Sequence, residues 1–520
     1  MPGPGSSNQV LPWRAPKRAT ASVVAAALLL AAATVLVSPW RMVDPDGLSH
    51  LAVGRLIVET GAVPRTDPFT FAAPGRSWSN PEWLGDVAWY AAWRAGGAHG
   101  VVALRLALVA LGFLLALRLG RRQGAATLPT LALLLAALPA GLARFTERNH
   151  VHALWLIPAC GLVLAALGAP GDSAATPGPR AVRRRLAALG LLMVLWANLH
   201  GSFPLAWLLL VAALAQAVTD GDLRRPGVRG VVVLLALAPL LGMVSPHLWR
   251  NYGQVFDHVA GASVYRAVII EWQPPLAAPA PLMHLPLHLL AAAGVASFLP
   301  RCNRRAAGAA VLLLAGLVLA YTAQRFVPEM AVLVVPPVAA NVTRAAAASS
   351  ATFRRALAAV LLCVALPLVA FAAWGARRAG PVSVLARPES PLAAARYLAG
   401  EPPGSRVVAP FDAGPWLLWV GAGRFSLYVD PRNSLGAAHL RGFLREILPD
   451  PRRFETEARR LGVTHVLVDR RDPRMAALAA YLASAPAPGW RRVFADARYV
   501  LYARAAAAGP TPTNGSVPPT

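Results

Sequence analysis

Apolar runs of membrane-spanning length recur along this chain, separated by short clusters of arginine. An α-helix needs about 20 mostly apolar residues to cross the hydrocarbon core of a bilayer. We predict eleven such spans, at 19–39, 101–117, 125–143, 153–169, 186–200, 203–219, 230–247, 283–299, 306–323, 326–342 and 356–375. The fifth and sixth are short and adjacent, so a single helical hairpin that crosses part of the bilayer is the alternative for them.

The composition excludes the ordinary soluble classes. Of the 520 residues, 56% are hydrophobic and 14% are charged, whereas soluble domains carry roughly 25% charged residues. The net charge of +26 is typical of nucleic-acid-binding proteins, but those place their basic residues on a polar surface, and this chain has too little of it. The three cysteines, Cys160, Cys302 and Cys363, are far apart, so neither a disulfide framework nor a zinc site is predicted.

Charge predicts the orientation of the spans, since short loops rich in Arg and Lys stay on the cytoplasmic side. Basic residues cluster in alternate loops, at Arg14, Lys17 and Arg18; Arg118, Arg121 and Arg122; Arg180, Arg183, Arg184 and Arg185; Arg224, Arg225 and Arg229; Arg301, Arg304 and Arg305; and Arg344, Arg354 and Arg355. Merging the fifth and sixth spans would place the cluster at 301–305 outside. We therefore predict that the N-terminus lies inside and the C-terminus outside.

The chain after the last span has a different pattern. Short β-like runs at 406–408, 425–429, 465–468 and 499–502 alternate with helix-like stretches near 434–447, 453–462 and 474–484, which predicts a small α/β domain. The last residues are rich in Pro, Thr, Gly and Ser and are predicted to be disordered.

The predicted protein is thus a polytopic α-helical membrane protein with a C-terminal extracytoplasmic α/β domain. Its predicted parts are a basic cytoplasmic N-terminus at 1–18, a membrane domain at 19–379 with an outer loop at 40–99, the α/β domain at 380–507 and a disordered tail at 508–520. The first apolar run is predicted to be a retained anchor, because about 20 residues is long for the roughly 7- to 15-residue apolar region of a signal peptide.

Polar side chains outside the arginine clusters gather at the predicted outer side. The outer loop begins with Asp44-Pro45-Asp46 and His50 and continues with Asp67, Glu82 and Trp83; its stretches near 47–60 and 81–95 are predicted to be interfacial helices. The outer ends of later spans carry Arg144, Glu147, Arg148, Asn198, His200, Glu271 and Arg325. This convergence favours one functional site on that side.

Each of these residues also has a structural interpretation. Asp44 and Asp46 fit solvated charges at the membrane surface, and His50 shares a helix face with Asp46, as a structural pair would. Trp83 fits an aromatic belt at the headgroup level. The remaining alternatives are an internally paired ion cluster for Arg144, Glu147 and Arg148, and interhelical hydrogen bonds for Asn198 and His200.

Several motifs resemble a known family. They are Asp44-Pro45-Asp46 with His50-Leu51 and Gly54; Gly61-x-Val63-Pro64-x-Thr66-Asp67-Pro68-Phe69; Gly75, Trp78 and Glu82-Trp83-Leu84; 196–203; Glu271-Trp272; Phe411-Asp412-x-Gly414; and Val429-Asp430-x-Arg432. Together with the long outer loop and the outer domain, they resemble the GT-C class of integral-membrane glycosyltransferases, in a bacterial branch related to the protein O-mannosyltransferases and aminoarabinose transferases.

The resemblance implies sugar transfer with inversion, from a polyprenyl-phosphate-linked donor to a lipid, glycan or protein acceptor outside a bacterial inner membrane. It implies that Asp44, Asp46, His50 and Glu82 are catalytic, and that Arg144, Arg148, His200 and Arg325 bind the donor phosphate. Asp67, Trp83, Glu147, Asn198 and Glu271 are further candidates.

Nucleic acid is not expected as a partner, and no metal site is predicted. Two aspartates separated by a proline are compatible with a divalent cation, though nothing in the sequence demands one. The alternative function is a non-catalytic GT-C-like protein that binds or moves an envelope lipid or assists its assembly.

Overall fold

The computed structural model describes residues 17–168, 178–277, 284–300, 303, 306–347, 349–378, 383–387, 389–484 and 489–505. Most of the predicted N-terminal segment 1–18, the predicted tail 508–520, Cys302 and the basic residues Arg301, Arg304 and Arg305 lie outside these ranges. The described chain is mostly helical and ends in a small sheet.

The described chain is mainly α-helical as far as residue 378, apart from connecting stretches such as 61–82. The helices are α1 (Lys17–Val37), α2 (Asp46–Thr60), α3 (Trp83–Arg122), α4 (Thr127–Gly141), α5 (Val151–Gly168), α6 (Pro179–Leu199), α7 (Leu205–Asp220), α8 (Pro226–Gly242), α9 (Gly253–Ala260), α10 (Ala262–Val268), α11 (Leu285–Ala296), α12 (Ala307–Thr322), α13 (Val327–Ala347) and α14 (Ala351–Arg378). Each predicted apolar run lies on one of them, and the predicted interfacial helix near 47–60 is α2.

Helix α3 changes direction at two glycines. Gly96 and Gly97 have non-helical backbone angles, and Gly97 has φ of +56°, a conformation that is open to glycine because it has no Cβ. The break separates the segment before residue 96, which was predicted to be interfacial near 81–95, from the apolar remainder.

Four helical segments have both the length and the apolar composition to cross a membrane: Trp83–Arg122, Thr127–Arg144, Gln324–Ala347 and Ala351–Arg377. Six shorter apolar helices have 10–17 residues: Ala21–Val37, Val151–Leu167, Leu205–Asp220, Pro226–Gly242, Leu285–Ala296 and Ala307–Thr322. The chain is therefore a multi-pass membrane protein, whereas the count of eleven spans and the orientation remain predictions.

The core of the helical body lies around α13. Its residues from Val327 to Asn341 are buried throughout, and α3, α4 and α12 pack against it. Helix α14 lies at the periphery, with Phe371 and Trp374 exposed. Because lipid solvates apolar side chains, such a peripheral helix is expected to face the bilayer.

The C-terminal part is a five-stranded sheet with helices. Its strands are β1 (Ser405–Val408), β2 (Phe425–Leu427), β3 (His465–Asp469), β4 (Trp490–Ala495) and β5 (Tyr499–Arg504), and its helices are α15 (Leu392–Gly400), α16 (Gly414–Gly421), α17 (Gly436–Gly442), α18 (Pro451–Arg460) and α19 (Ala476–Ala483). The strand order is β2-β1-β3-β5-β4, with β1 parallel to β2 and β3, and β5 antiparallel to β3 and β4. Four strands match the predicted β-like runs, while β4, α15 and α16 were not predicted.

The outer loop extends this sheet at its β2 edge. Phe71 N–H donates to the Leu427 carbonyl at 3.1 Å, and Leu427 N–H donates to the Phe69 carbonyl at 2.8 Å. Ile57 of α2 and Trp78 of the loop share a buried apolar cluster with the sheet. The outer loop and the α/β domain therefore form one packed layer over the polar ends of the helices.

Candidate functional site

An aspartate pair and one arginine form the centre of the site. Asp44 follows α1, and Arg148 lies in the turn between α4 and α5. Arg148 donates from Nε to Asp44 Oδ2 at 2.6 Å and from Nη2 to Oδ1 at 3.0 Å, which is the bidentate geometry of a strong ion pair. Its Nη1 lies 2.9 Å from Asp46 Oδ2. One guanidinium thus holds both aspartates of the Asp-Pro-Asp motif.

Glu147 fixes the backbone that carries Asp44. Its Oε2 accepts hydrogen bonds from the N–H of Asp44 and of the preceding residue, each at 3.2 Å. Its other oxygen pairs with Arg105 of α3, which is fully buried. Arg105 also donates to the carbonyls of Pro39 and Arg41. The buried pair of Arg105 and Glu147 therefore holds the backbone of the segment between α1 and Asp44 in place.

The three arginines predicted to bind phosphate converge on Glu271. It lies between α8 and α11, in a segment that was predicted to be outside and is called the outer segment below. Arg144 hydrogen-bonds Glu271 Oε2, and Arg148 Nη1 lies 3.1 Å from Oε1. Arg325 Nη1 is 3.9 Å from Oε1, and its guanidinium lies 4.4 Å from the Trp272 ring centroid. Asp44, Asp46, Arg144, Arg148, Glu271 and Arg325 are called the arginine cluster below.

A second group of polar side chains lies beside this cluster. His50 Nδ1 is 2.7 Å from Asp86 Oδ1 and 4.0 Å from Glu82 Oε2. Asn149 donates to Asp86 at 2.7 Å and to Glu82 at 3.3 Å, and its oxygen accepts from Trp89 at 2.9 Å. Asn149 directly follows Arg148 in the chain, and His50 lies one helical turn after Asp46 on α2. Part of the second group is therefore carried by the same two backbone segments as the arginine cluster.

His200 completes the second group. Its Nε2 is 3.3 Å from Glu82 Oε1, and its Nδ1 is 2.7 Å from Ser202 Oγ. His200 therefore contacts a predicted catalytic carboxylate, whereas the three arginines meet around Glu271. The His200 ring centroid is 6.4 Å from that of His150, which in turn contacts Arg144.

Trp83 and Asn198 lie beside this group, at an apolar groove. Trp83 Nε1 donates to Asn198 Oδ1 at 2.8 Å, and Asn198 Nδ2 donates to the carbonyls of Val194 and Val244, each at 2.8 Å. Both residues line an open apolar groove of about 420 Å³ together with Leu84, Leu191, Leu195 and Pro246. The hydrogen bonds of Asn198 join α6 to the end of α8, as the structural interpretation predicted.

The two aspartates of the motif differ in acidity. Burial opposes the ionisation of Asp44, but the charge and hydrogen bonds of Arg148, with Arg144, outweigh it and lower the pKa of Asp44 to about 2. Burial dominates for Asp46, and together with the carboxylates of Asp44 and Glu271 it outweighs Arg148 and raises the pKa of Asp46 to about 6. Asp46 is therefore the better proton acceptor of the two near neutral pH.

The second group also has shifted acidities. Burial and the neighbouring charge of Asp86 raise the pKa of Glu82, although His50 opposes the shift. Burial would lower the pKa of His50, but the carboxylates of Asp86 and Glu82 outweigh it and raise the value. Shifted pKa values of neighbouring titratable groups are common at functional sites.

Asp67 lies in a different cluster. Arg432 of the α/β domain reaches Asp67 Oδ1 at 3.1 Å and Asp430 Oδ2 at 2.6 Å, and Ser434 also donates to Asp67. The Arg432 guanidinium lies over Phe69 and Trp78, at 4.5 and 4.7 Å from the ring centroids. Asp67, Asp430, Arg432 and Ser434 are called the interdomain cluster, since they join the outer loop to the α/β domain.

Within the described ranges, no group of three or more His, Cys, Asp or Glu side chains is arranged to hold a metal ion. Both oxygens of Asp44 accept hydrogen bonds from Arg148, so a cation would have to displace this arginine. A divalent cation bound by the Asp-Pro-Asp motif remains an untested expectation.

The sequence assigned no role to Asp86, Asn149 or Arg105, which the structure places in direct contact with the predicted residues. Asn149 and Asp86 are polar residues at the outer ends of apolar segments, and this was the available signal for them. Arg105 lies inside an apolar run, where a charged residue is costly unless it is paired. Its partner, Glu147, is distant in sequence.

No protein-family model and no curated protein matches the sequence. Solved structures do match. The archaeal oligosaccharyltransferase AglB from Archaeoglobus fulgidus, in complex with an inhibitory peptide and a dolichol-phosphate, superposes with a TM-score of 0.60 at 13% identity over 96% of this chain and 75% of that one. The fold is that of the GT-C glycosyltransferases.

Two further matches extend this finding. ArnT from Cupriavidus metallidurans bound to undecaprenyl phosphate superposes with a TM-score of 0.53 at 18% identity, covering 96% of this chain and 100% of ArnT. The Archaeoglobus oligosaccharyltransferase in complex with Zn and sulfate gives 0.56 at 15% identity, covering 86% of this chain and 68% of that one. At such identities the GT-C likeness establishes the fold, and the chemistry has to be argued from this chain's own residues.

Proposed function

We propose that this protein is a membrane glycosyltransferase that moves a sugar from a polyprenyl-phosphate-linked donor to an acceptor on the extracytoplasmic side of a bacterial inner membrane. The observation that carries the proposal is the arginine cluster. In it, three arginines meet two aspartates whose pKa values are shifted in opposite directions, at the ends of apolar helices. The GT-C neighbours support it, since ArnT and AglB were solved with undecaprenyl phosphate and dolichol-phosphate.

The arginines suit the phosphate of the donor. Guanidinium groups give bidentate, charge-assisted hydrogen bonds to phosphate oxygens, and Arg144, Arg148 and Arg325 surround one anionic position. During transfer the bond between the sugar carbon and the phosphate oxygen breaks, and its electron pair leaves with the polyprenyl phosphate. The same arginines would stabilise the negative charge that develops there.

Asp46 suits the role of general base. An acceptor hydroxyl would attack the sugar carbon from the face opposite the phosphate, which inverts the configuration, and would lose its proton to Asp46. A base with a pKa near the operating pH is the most effective, and Asp46 meets this condition better than Asp44. Asp44 would remain ionised and hold Arg148 in place, whereas Glu82 with His50 is the second candidate for proton transfer.

The apolar groove beside Trp83 suits the polyprenyl chain. It is open and lined mostly by apolar side chains of α6, of the start of α3 and of the segment after α8. Asn198 on its wall bonds Trp83, the neighbour of Glu82. An isoprenoid chain in this groove would lie in the bilayer while its phosphate reached the polar site.

The non-catalytic alternative also has a structural observation in its favour. Arg148 engages both Asp44 and Asp46, so both carboxylates already have an arginine of the protein as their partner. In that case the protein would bind or move an envelope lipid and leave the sugar bond intact.

Reconstituted vesicles distinguish the two functions. Purified protein is supplied with polyprenyl-phosphate-linked sugars and a mixture of envelope acceptors, and sugar transfer is compared among wild type, Asp44→Asn and Asp46→Asn. Transfer that both substitutions leave intact would exclude the proposed site. Saturable lipid binding without transfer from any donor would favour the alternative.

A further inference from the structure

The anionic position between the three arginines is already occupied by a side chain of the protein itself. Glu271 places one oxygen against Arg144 and the other 3.1 Å from Arg148 Nη1 and 3.9 Å from Arg325 Nη1. A carboxylate in such a position presents two anionic oxygens to guanidinium donors, as a phosphate would. Its side chain is 17% exposed, so the position is partly open to an incoming group.

The arginines are incompletely satisfied in this arrangement. Among the described residues, buried Arg144 Nε has no hydrogen-bond partner, and Arg325 is beyond hydrogen-bond distance of Glu271. The phosphodiester of a sugar donor has one charge and two free oxygens, as a carboxylate does, whereas polyprenyl phosphate is a monoester with three free oxygens and up to two charges. The monoester can therefore engage donors that Glu271 leaves unused, and the site favours it over the carboxylate.

The segment that carries Glu271 is short and irregular. Glu271 lies in a single 3-10 turn, Ile270–Trp272, directly after the short helix α10. Two hydrogen bonds connect the turn to the segment before α13, from Gln324 N to the Gln273 carbonyl at 3.0 Å and from Gln324 Nε2 to the Ile270 carbonyl at 3.2 Å. The side chain can leave the arginines by rotation of its own bonds, without rearrangement of a long helix.

We propose that Glu271 is an internal competitor for the phosphate of the lipid substrate: its carboxylate occupies the anion site of Arg144, Arg148 and Arg325, and the lipid phosphate displaces it on binding. This inference rests on the proposed function. It gives Glu271, so far a further candidate without an assigned role, the role of a residue that sets affinity. The neighbouring arginines overcome burial and lower the pKa of Glu271 to about 2, so the competing carboxylate stays charged at physiological pH.

The proposed competition predicts whether a substitution of Glu271 strengthens or weakens the binding of the lipid phosphate. Removing an internal competitor increases the apparent affinity for the ligand, because the binding-competent state no longer has to be formed at a free-energy cost. If Glu271 instead positions the arginines for the phosphate, its removal weakens binding. Glu271→Gln keeps the size of the side chain and removes its charge, so it separates the two cases.

The experiment measures the binding of undecaprenyl phosphate to full-length protein in nanodiscs, with undecaprenol as the uncharged probe. Glu271→Gln is expected to bind undecaprenyl phosphate about tenfold more tightly than wild type, which corresponds to roughly 1.4 kcal/mol, and to bind undecaprenol unchanged. Glu271→Asp keeps the charge but withdraws it from the arginines, so an intermediate gain is expected. Asp257→Asn, an exposed substitution in the same outer segment, is the matched control and should bind as wild type does.

Equal or weaker binding by both Glu271 variants, with wild-type binding intact, would overturn the inference and leave the proposed function standing. Failure of wild type and variants alike to bind undecaprenyl phosphate would overturn both. If Glu271→Gln does not fold because it leaves three arginines facing one another, Glu271→Asp decides the sign by itself.

Discussion

The arginine cluster and the interdomain cluster use the same residue types but differ in exposure. Arg148, Asp46, Arg325 and Glu271 have side chains that are 23%, 26%, 21% and 17% exposed, while Asp44 and Arg144 are 8% exposed each. In the interdomain cluster, Arg432, Asp67 and Asp430 are 8%, 3% and 1% exposed. Aromatic rings contact a guanidinium in both clusters, at Arg432 and at Arg325. The first cluster is open to a ligand, whereas the second is closed and joins two parts of the chain.

The difference indicates what each cluster does. In the interdomain cluster a single arginine pairs with two carboxylates, and the three side chains are at most 8% exposed, although Arg432 Nη1 has no hydrogen-bond partner among the described residues. In the arginine cluster three arginines share one position that Glu271 fills incompletely. A buried ion pair by itself is weak evidence for function, and the shared, partly open position is what separates the two.

The largest expected effect is on catalysis at Asp46. Asp46→Asn removes the proposed base, and loss of general base catalysis typically costs 10²- to 10⁴-fold, so the transfer rate in vesicles should fall by about that factor. Binding of undecaprenyl phosphate should persist. Asp412→Asn, at an exposed aspartate of the α/β domain, is the control. A transfer rate within about twofold of wild type would show that Asp46 is not the base.

The next effect is on stability at Arg432. Arg432→Met leaves Asp67 and Asp430 buried without their partner, and breaking a buried pair in this way costs about 3–5 kcal/mol. Denaturant unfolding should show this loss, while the transfer rate per folded molecule stays near that of wild type. Arg474→Met removes a partly exposed arginine of the same domain and is expected to cost at most about 1 kcal/mol. If Arg432→Met is as stable as wild type but transfers sugar more slowly, the interdomain cluster takes part in transfer and is not needed for stability.

A smaller effect is expected on lipid binding at Arg148. Arg148→Gln removes charge-assisted hydrogen bonds worth about 1.5–3 kcal/mol, so affinity for undecaprenyl phosphate should fall roughly 10- to 100-fold. Asp44 would also lose its partner and repel the phosphate. Arg250→Gln, at an exposed arginine of the outer segment, should bind as wild type does. Unchanged binding by Arg148→Gln would remove the arginine cluster from the phosphate site.

The smallest effect is on pH dependence. The base must be ionised to accept a proton, and the pKa of Asp46 is raised to about 6. The transfer rate should therefore rise with pH through about 6 and level off above it, with roughly a tenfold loss between pH 7 and pH 5. A profile that stays flat to pH 5 would favour a base of ordinary acidity.

The sequence predicted the helical body well because one physical rule governs it. Every backbone polar group in a bilayer must be satisfied within the segment, so a long apolar run has helix as its main solution. The α/β domain was predicted less completely. Strand β4 has two adjacent exposed arginines, which weaken its alternation of polar and apolar residues. Helix α16 is short and apolar on most sides. Neither element therefore shows a clear hydrophobic period in the sequence.

The sequence predicted many of the residues that form the site but not which of them pair. Asp44, Arg144, Arg148 and Arg325 were identified as polar residues on one side, and the structure brings them into one cluster. Asp67 came from the same motif-rich loop, yet it joins Arg432 because the loop pairs with the edge of the sheet. The contacts of Glu147 with Arg105 and of Glu271 with three arginines link residues that are far apart in sequence, so no local pattern reports them.

Because hydropathy and charge act locally, the sequence alone was enough to predict a chain that crosses a membrane several times and gathers its unmatched polar residues on one side. Which carboxylate each arginine meets depends on how distant helices and the outer loop pack, so it is visible only in the folded chain. Those pairings separate Asp46, with its raised pKa, from Asp44. They also place Glu271 where a lipid phosphate is proposed to bind.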